Sequence, residues 1–540
     1  MPDGARDMTL TDRIQRAVIH SSPYPPFRWL YAGAYGAILL WLMARVRRRP
    51  EILRLELRAP HQGHRFGVSD LDVRAETTQL NARQFFALAD DLADVLLPSR
   101  PWMRILDFYI FGPHEAQLQR RLGPMSFGSS RWFRLLGRKS SPAPAPLPQR
   151  PPKNAALCRT MYEYGYLSQE LFERTPDLHF TWTVFRRFKR IDDGFGAQPR
   201  TLEPEYRDLR QRMTTRAQSL VTGGRLRELD PPDLEEMFAV ALAETDSIAQ
   251  EFVAPDDPAT APVFRSMENP IAPENLADAI ASCAAPVKAL CEQLEGRVQS
   301  AILGCVPATS FDYRWYLVLR DNLALSDRIE VFRAIRAALA ANAPPRRIPN
   351  TYLRLRCPTV LTPAMWRASS RWYHALRPVE EYFFFKHHGA VLWGDDLRGE
   401  IGGTAALDVI RSAAIAAADL RNIIWGAAHD NRPRRLADTL LGRVPALWLL
   451  LRSSSVATSS AEAVMGCAAA NFPEVSILEQ LRARFAGRPA ARLPSASDPM
   501  WKPALDASSK WVDDIAEMAL ARLDAYSENC AQPISPTHRG

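Results

Sequence analysis

The spacing of apolar and polar positions changes character along the chain. Up to residue 136 it mixes two periods, predicting helix over 31–48, strand 52–58, a loop, strand 70–76, helix 81–97 and strand 102–110. In the second predicted strand, Leu71 and Val73 fall on alternate positions and are expected to face a core. Residues 137–154 break the pattern with six prolines among small and polar residues, which neither continue a helix nor enter a sheet. Beyond this linker the apolar positions follow a helical period over 157–173, 206–220 and 234–252.

The order of elements then repeats. Residues 273–356 follow the first segment at an offset of about 242: helix 275–294, strand 298–303, strand 311–319, helix 326–341 and strand 350–356. The remainder is again helical, with an Ala-rich run at 405–425, an apolar helix at 436–451 and a tail from 528. The expected fold class is α+β and mostly helical, with two mixed-sheet modules each followed by a helical region. The expected boundaries are 1–136, a linker 137–154, 155–272, 273–364, 365–527 and 528–540.

At 540 residues the chain is too long for one core. Its 47% hydrophobic and 24% charged residues suit a soluble multidomain protein. A net charge of +8 suits an anionic ligand, whether a nucleoside triphosphate, RNA or a membrane surface. The seven cysteines form no CxxC pair and read as reduced thiols of a cytoplasmic protein. Residues 29–44 carry no charge and precede Arg45, Arg47, Arg48 and Arg49. That is short for a bilayer span, so a helix packed against a sheet is expected, with a basic-flanked membrane anchor as the alternative.

The candidate chemistry lies in carboxylates. Asp70 and Asp72, at i and i+2 of a strand, point to one face. Asp107 stands alone in the apolar run Ile105-Leu106-Asp107-Phe108-Tyr109-Ile110, where burial is costly without a metal or a partner such as Arg104. Three acids of this kind suit Mg²⁺ or Mn²⁺ bound to a triphosphate. Gly67-Val68-Ser69-Asp70-Leu71-Asp72-Val73 followed by the Asp107 strand resembles the nucleotidyltransferases of the DNA polymerase beta superfamily.

The resemblance implies that Asp70 and Asp72 bind metal and that Asp107 binds metal or takes the acceptor proton. It also implies that the loop with Gly63, Gly67 and Ser69 meets the nucleotide. The family's Gly-Ser pair after the first strand is replaced here by Arg58-Ala59-Pro60. In the second copy, Gly304-Cys305 and Phe311-Asp312-Tyr313-Arg314 stand where Gly-Ser and Asp-x-Asp belong, so that copy is expected to be degenerate.

Residues 389–397 resemble a segment found after the catalytic sheet in bacterial small-molecule nucleotidyltransferases. This makes Asp395 and Asp396 candidate substrate-binding residues, against a helix N-cap as the plainer role. The basic run Arg186-Arg187-Phe188-Lys189-Arg190 is expected to be a solvated helix face with its aromatics in the core, the alternative being contact with RNA. The expected activity is transfer of a nucleoside monophosphate from a nucleoside triphosphate to a hydroxyl acceptor. The alternative is an inactive binding or regulatory protein of the same fold.

Overall fold

The computed structural model describes residues 10–58, 66, 71–96, 106–122, 132–137, 152–173, 178–196, 202–221, 229–251, 265–266, 276–305, 313–341, 358–373, 389–400, 406–429, 431–444, 447–448, 451, 455–456, 495 and 498–531. It is mixed α/β and mostly helical, with two four-stranded mixed sheets.

The first unit comprises α1 (Leu10–Ser21), α2 (Pro25–Val46), β1 (Ile52–Arg58), β2 (Leu71–Thr77), α3 (Ala82–Leu96), β3 (Leu106–Phe111), α4 (Pro113–Leu122) and β4 (Trp132–Gly137). Its strands lie in the order β3-β2-β1-β4, with β2–β3 parallel and the other pairs antiparallel. Alternation along β2 buries Leu71, Val73, Ala75 and Thr77 and turns Asp72, Arg74 and Glu76 to the other face. Beneath the apolar face lie Tyr35, Leu42 and Val46 of α2 and Phe85, Leu88 and Leu92 of α3. The start of α3 is fixed by Asn81 and Gln84, whose side chains each accept from the other's amide (2.9 and 3.1 Å).

Four helices follow: α5 (Pro152–Glu173), α6 (Leu178–Gly196), α7 (Pro204–Val221) and α8 (Pro231–Gln250). Asp230 caps α8 by accepting from the Asp233 amide at 2.9 Å, ahead of prolines that suit the first helical turn. A two-residue β5 (Arg265–Ser266) pairs with β10 (Ser455–Val456).

The second unit holds α9 (Leu276–Gln293), β6 (Val298–Cys305), β7 (Tyr313–Leu319), α10 (Leu325–Ala341), β8 (Thr359–Leu361), α11 (Pro363–Tyr373) and β9 (Ala390–Gly394). Its sheet order, β8-β7-β6-β9, repeats that of the first. The likeness extends to registers. Leu57 pairs with Val73 as Leu303 pairs with Trp315, and both first hairpins shift register near the start of their first strand. β4 and β9 pair with their neighbours across corresponding irregularities, and each ends in a glycine with positive φ, Gly137 at 97° and Gly394 at 72°. Both third strands run through one residue into a helix that begins with proline, Pro113 or Pro363.

The order helix, strand, strand, helix recurs as the sequence predicts, but the third strand of the second sheet, β8 at Thr359–Leu361, was not expected. The fourth strands, β4 and β9, were not expected, and β9 falls in what was assigned to the C-terminal helical region. Gly137 and Pro152 belong to a strand and a helix rather than to the linker. The strand expected at 350–356 lies outside the described residues.

The last helices are α12 (Ala406–His429), α13 (Pro433–Asp438), which runs into a π-turn at Thr439–Arg443, and α14 (Lys502–Ala531). Each helical region packs against a sheet module other than the one it follows in the chain. Helices α5 to α8 share one core with the second sheet, whereas α12 and α14 share theirs with Leu118 and Leu122 of α4. Polar contacts follow the same exchange. Tyr164 donates to the carbonyl of Val360 (2.8 Å), Thr362 bonds Asp246, Arg333 pairs with Glu235 (2.6 Å) and Arg121 pairs with Asp524.

Candidate functional site

The polar face of the first sheet is a ladder of opposite charges. Arg58 donates to Asp72 (3.0 Å), Arg74 to Glu56 (2.6 Å), and Glu76 receives Arg54 (3.3 Å) and Arg120 (3.2 Å). Cross-strand pairing of this kind holds the hairpin while keeping charge on a half-buried surface. The corresponding pairs of the second sheet are apolar or small, because Ile302–Tyr316 and Ser300–Val318 replace Glu56–Arg74 and Arg54–Glu76. Ile302, Tyr316 and Val318 have no solvent contact and belong to the core that includes α5 to α8. Thus one sheet keeps a polar face and the other has filled it with core.

Asp72 lies at the entry to β2, and the parallel register places Asp107 of β3 directly beside it along the backbone. The Arg58 guanidinium neutralises Asp72, both side chains being 22% exposed. At the matching register positions the second sheet has Gly304 opposite Arg314, so it lacks the carboxylate. Asp70, Gly63, Gly67 and Ser69 lie outside the described residues, as does the side chain of Asp107. Among the described residues no group of three or more His, Cys, Asp or Glu side chains is placed to hold a metal ion.

The basic run lies on α6. Trp182, Phe185 and Phe188 are buried, as a helix with an aromatic inner face requires. On the outer side, Arg187 (2.9 Å) and Arg190 (2.6 Å) both pair with the buried carboxylate of Glu163 on α5. Arg186 has no side-chain partner among the described residues. It reaches solvent, yet crowding by protein lowers its pKa to about 10, with repulsion from Arg190 and Arg187 adding to the effect and Glu163 opposing it. The field of Arg58 also acts on Arg186. The basic run is therefore within electrostatic reach of the Asp72 end of the first sheet.

Asp395 and Asp396 follow β9 in the second module. The Asp395 amide donates to the Gln299 carbonyl (3.1 Å), and its own carbonyl accepts from Ser300 (2.6 Å). Asp396 accepts two hydrogen bonds from the Arg398 guanidinium (2.8 and 2.6 Å), which hold its pKa down at about 2. Both residues thus shape the turn after β9. Asp396 also accepts from the Arg398 amide (3.1 Å) at the start of the 3-10 turn Arg398–Glu400, a capping contact in keeping with the plainer role.

Sequence reasoning missed two features of this region. One is Arg58 as the partner of Asp72, signalled by its place at the end of a hairpin strand opposite an acid. The other is the Glu163 clamp, for which the sequence gives no signal because residues from two helices meet only in the fold. Comparison with family models, with characterised proteins and with solved structures finds no match to this chain.

Proposed function

We propose that the first module is a metal-dependent nucleotidyltransferase and that the second is its non-catalytic counterpart. The observation carrying this reading is the parallel register that sets Asp107 beside Asp72, at the edge of the sheet whose polar face has not been filled. Hard carboxylate oxygens suit a divalent cation, and the Arg58 guanidinium already supplies positive charge at Asp72, the role such a cation takes there.

Asp70, Asp72 and Asp107 would hold Mg²⁺ or Mn²⁺, which neutralises the triphosphate and lowers the pKa of the attacking hydroxyl. The acceptor oxygen attacks the α-phosphorus, a new P–O bond forms, and the bond to the β-phosphate oxygen breaks to release pyrophosphate. Asp107, beside Asp72 in the backbone register, would accept the hydroxyl proton. Arg58 and Arg186 supply charge for the phosphates in place of the family's Gly-Ser turn.

A second reading is favoured by the same Arg58–Asp72 ion pair: a binding protein in which arginine permanently occupies the metal position. One experiment separates the two. The protein is incubated with labelled nucleoside triphosphates, Mg²⁺ or Mn²⁺ and cell extract, beside a D70A/D72A variant. Label transferred only by the parent protein supports the enzyme. Binding of nucleotide without transfer supports the binding protein, and equal transfer by both proteins rejects the assigned site.

A further inference from the structure

We infer that the outer face of α2 is a docking surface for an anionic lipid bilayer, on which the protein lies without crossing it. A water-facing helix normally carries charged or polar residues on its outer side. On α2, from Phe27 to Ala44, the exposed residues are Phe27, Arg28, Trp29, Leu30, Ala32, Gly33, Ala34, Ala37, Leu40 and Ala44, of which only Arg28 is polar. Trp29 is 74%, Leu30 65% and Leu40 67% exposed, far beyond what scattered surface apolar residues require. The packed helix expected from the sequence is therefore present on one side only.

The charge around this face selects the partner. Between Asp12 and Glu51 there is no acid, and seven arginines occur: 13, 16, 28, 45, 47, 48 and 49. Arg45, Arg47 and Arg48 are exposed at the C-terminal end of α2. Arg49 pairs with Asp91 (2.8 Å), and apolar side chains beside the exposed Arg45, Arg47 and Arg48 match lipid tails beneath anionic headgroups. At 22 residues the helix is long and apolar enough to cross a membrane by composition. Its other side excludes that orientation. Tyr35, Leu42 and Val46 are buried with Leu55 and Val73 of the sheet, and the Tyr35 ring meets Phe66 edge-on at 4.9 Å. A helix with one face packed on the sheet module can present only the other to lipid, so it lies parallel to the surface.

The test is flotation of the full-length protein with preformed vesicles of phosphatidylcholine alone or mixed equally with phosphatidylglycerol. Two variants accompany it: L30E/L40E, which alters only exposed positions, and R45Q/R47Q/R48Q. Thermal melting confirms that each is folded. The parent protein is expected to float with the mixed vesicles and not with phosphatidylcholine, and L30E/L40E to remain at the bottom. The arginine variant should lose about two orders of magnitude in partitioning, as expected from removing three interfacial cations. Failure of the parent to float with anionic vesicles, or equal flotation of L30E/L40E, overturns the inference. So does a dimer in sedimentation velocity that L30E/L40E dissociates, which would assign the face to a second copy.

Discussion

Asn422 of α12 accepts a hydrogen bond from the amide of Ile110 (3.0 Å) and donates one to its carbonyl (2.7 Å), completing the outer edge of β3 as a neighbouring strand would. The register gives Ile110 a counterpart in Val360 of β8, and the Val360 carbonyl is bound by Tyr164 of α5. Each edge strand is thus finished by a side chain from the helical region that follows the other module in the chain. An unpaired strand edge is an aggregation hazard, and these contacts cover part of one edge of each sheet.

Asn422→Ala removes two hydrogen bonds and leaves both backbone groups of Ile110 without that partner. It should destabilise the protein by about 2 kcal/mol, read by urea unfolding. Tyr164→Phe removes one bond and should cost about 1 kcal/mol. If the exchange of helices is correct, both variants lower the unfolding midpoint while nucleotide binding at low urea is unchanged.

Arg421, adjacent to Asn422, is 3% exposed and joins three segments. It pairs with Glu115 (3.0 Å) and Asp513 (2.5 Å), donates to the Leu80 carbonyl (3.0 Å) and lies over the Phe85 ring (5.5 Å). Arg421→Met leaves the buried Glu115 carboxylate uncompensated and should cost about 3–5 kcal/mol. Lysine retains the charge but not the planar fork, so Arg421→Lys should recover only part of this. Thermal denaturation of the two variants against the parent gives the ranking.

How much could be read from the sequence depended on whether the cause was local. β1 and α10 were legible nearly to the residue because alternation or helical period ran without interruption. β4 was not, since Trp132–Gly137 is set within a Pro- and Gly-rich stretch and its pairing with β1 is non-local. Of the candidate acids, Asp72 lies on the polar face of β2 as the alternation predicts. Arg58 as the partner of Asp72 does not stand out in the pattern, because its place in the sequence registers only as a missing glycine. The repeat was visible in the order of elements, while the exchange of helical regions depends on contacts such as Tyr164 with Val360, which leave no trace in spacing.

Arg58→Ala discriminates between grip and obstruction. With the guanidinium gone, Asp72 is released from its 3.0 Å ion pair and should bind a divalent cation more readily. If Arg58 has the proposed role beside the phosphates, the expected outcome is a lower Mg²⁺ requirement together with a raised KM for the nucleotide. Steady-state transfer measured over a range of Mg²⁺ concentrations reads both effects. Unchanged behaviour in both would remove Arg58 from the site.

Glu244 on α8 is fully buried, paired with Arg210 (2.6 Å) and close to Asp192. Burial, reinforced by the field of Asp192 and only partly opposed by Arg210, raises its pKa from 4.5 to about 8. A carboxyl with a raised folded pKa contributes stability that is complete below the unfolded value and is lost as pH rises through the folded one. Glu244→Gln keeps the shape and cannot ionise. The melting temperature of the parent should therefore fall relative to that variant as pH rises from about 4.5 to about 8, and run parallel to it above that range. Parallel curves throughout would show that Glu244 stays charged in the fold.

The paired glycines provide the sharpest test of the repeat. A Cβ on Gly137 would lie 2.1 Å from the Leu53 carbonyl oxygen, and one on Gly394 would lie 2.1 Å from that of Gln299. Both contacts are with backbone, at positive φ, so neither can be relieved by turning a side chain. The same bend ends the fourth strand of each sheet against the same point of the first strand. Gly137→Ala and Gly394→Ala should each cost about 2 kcal/mol or more, combining an unfavourable φ with displacement of the adjoining strand. Gly296 has positive φ, at 84°, with open space around its Cβ position, so Gly296→Ala isolates the conformational part and should cost about 1 kcal/mol. Chemical denaturation of the three variants should place Gly137 and Gly394 together and Gly296 well below them. An indifferent Gly137 beside a sensitive Gly394 would mean that the two bends do not do equivalent work.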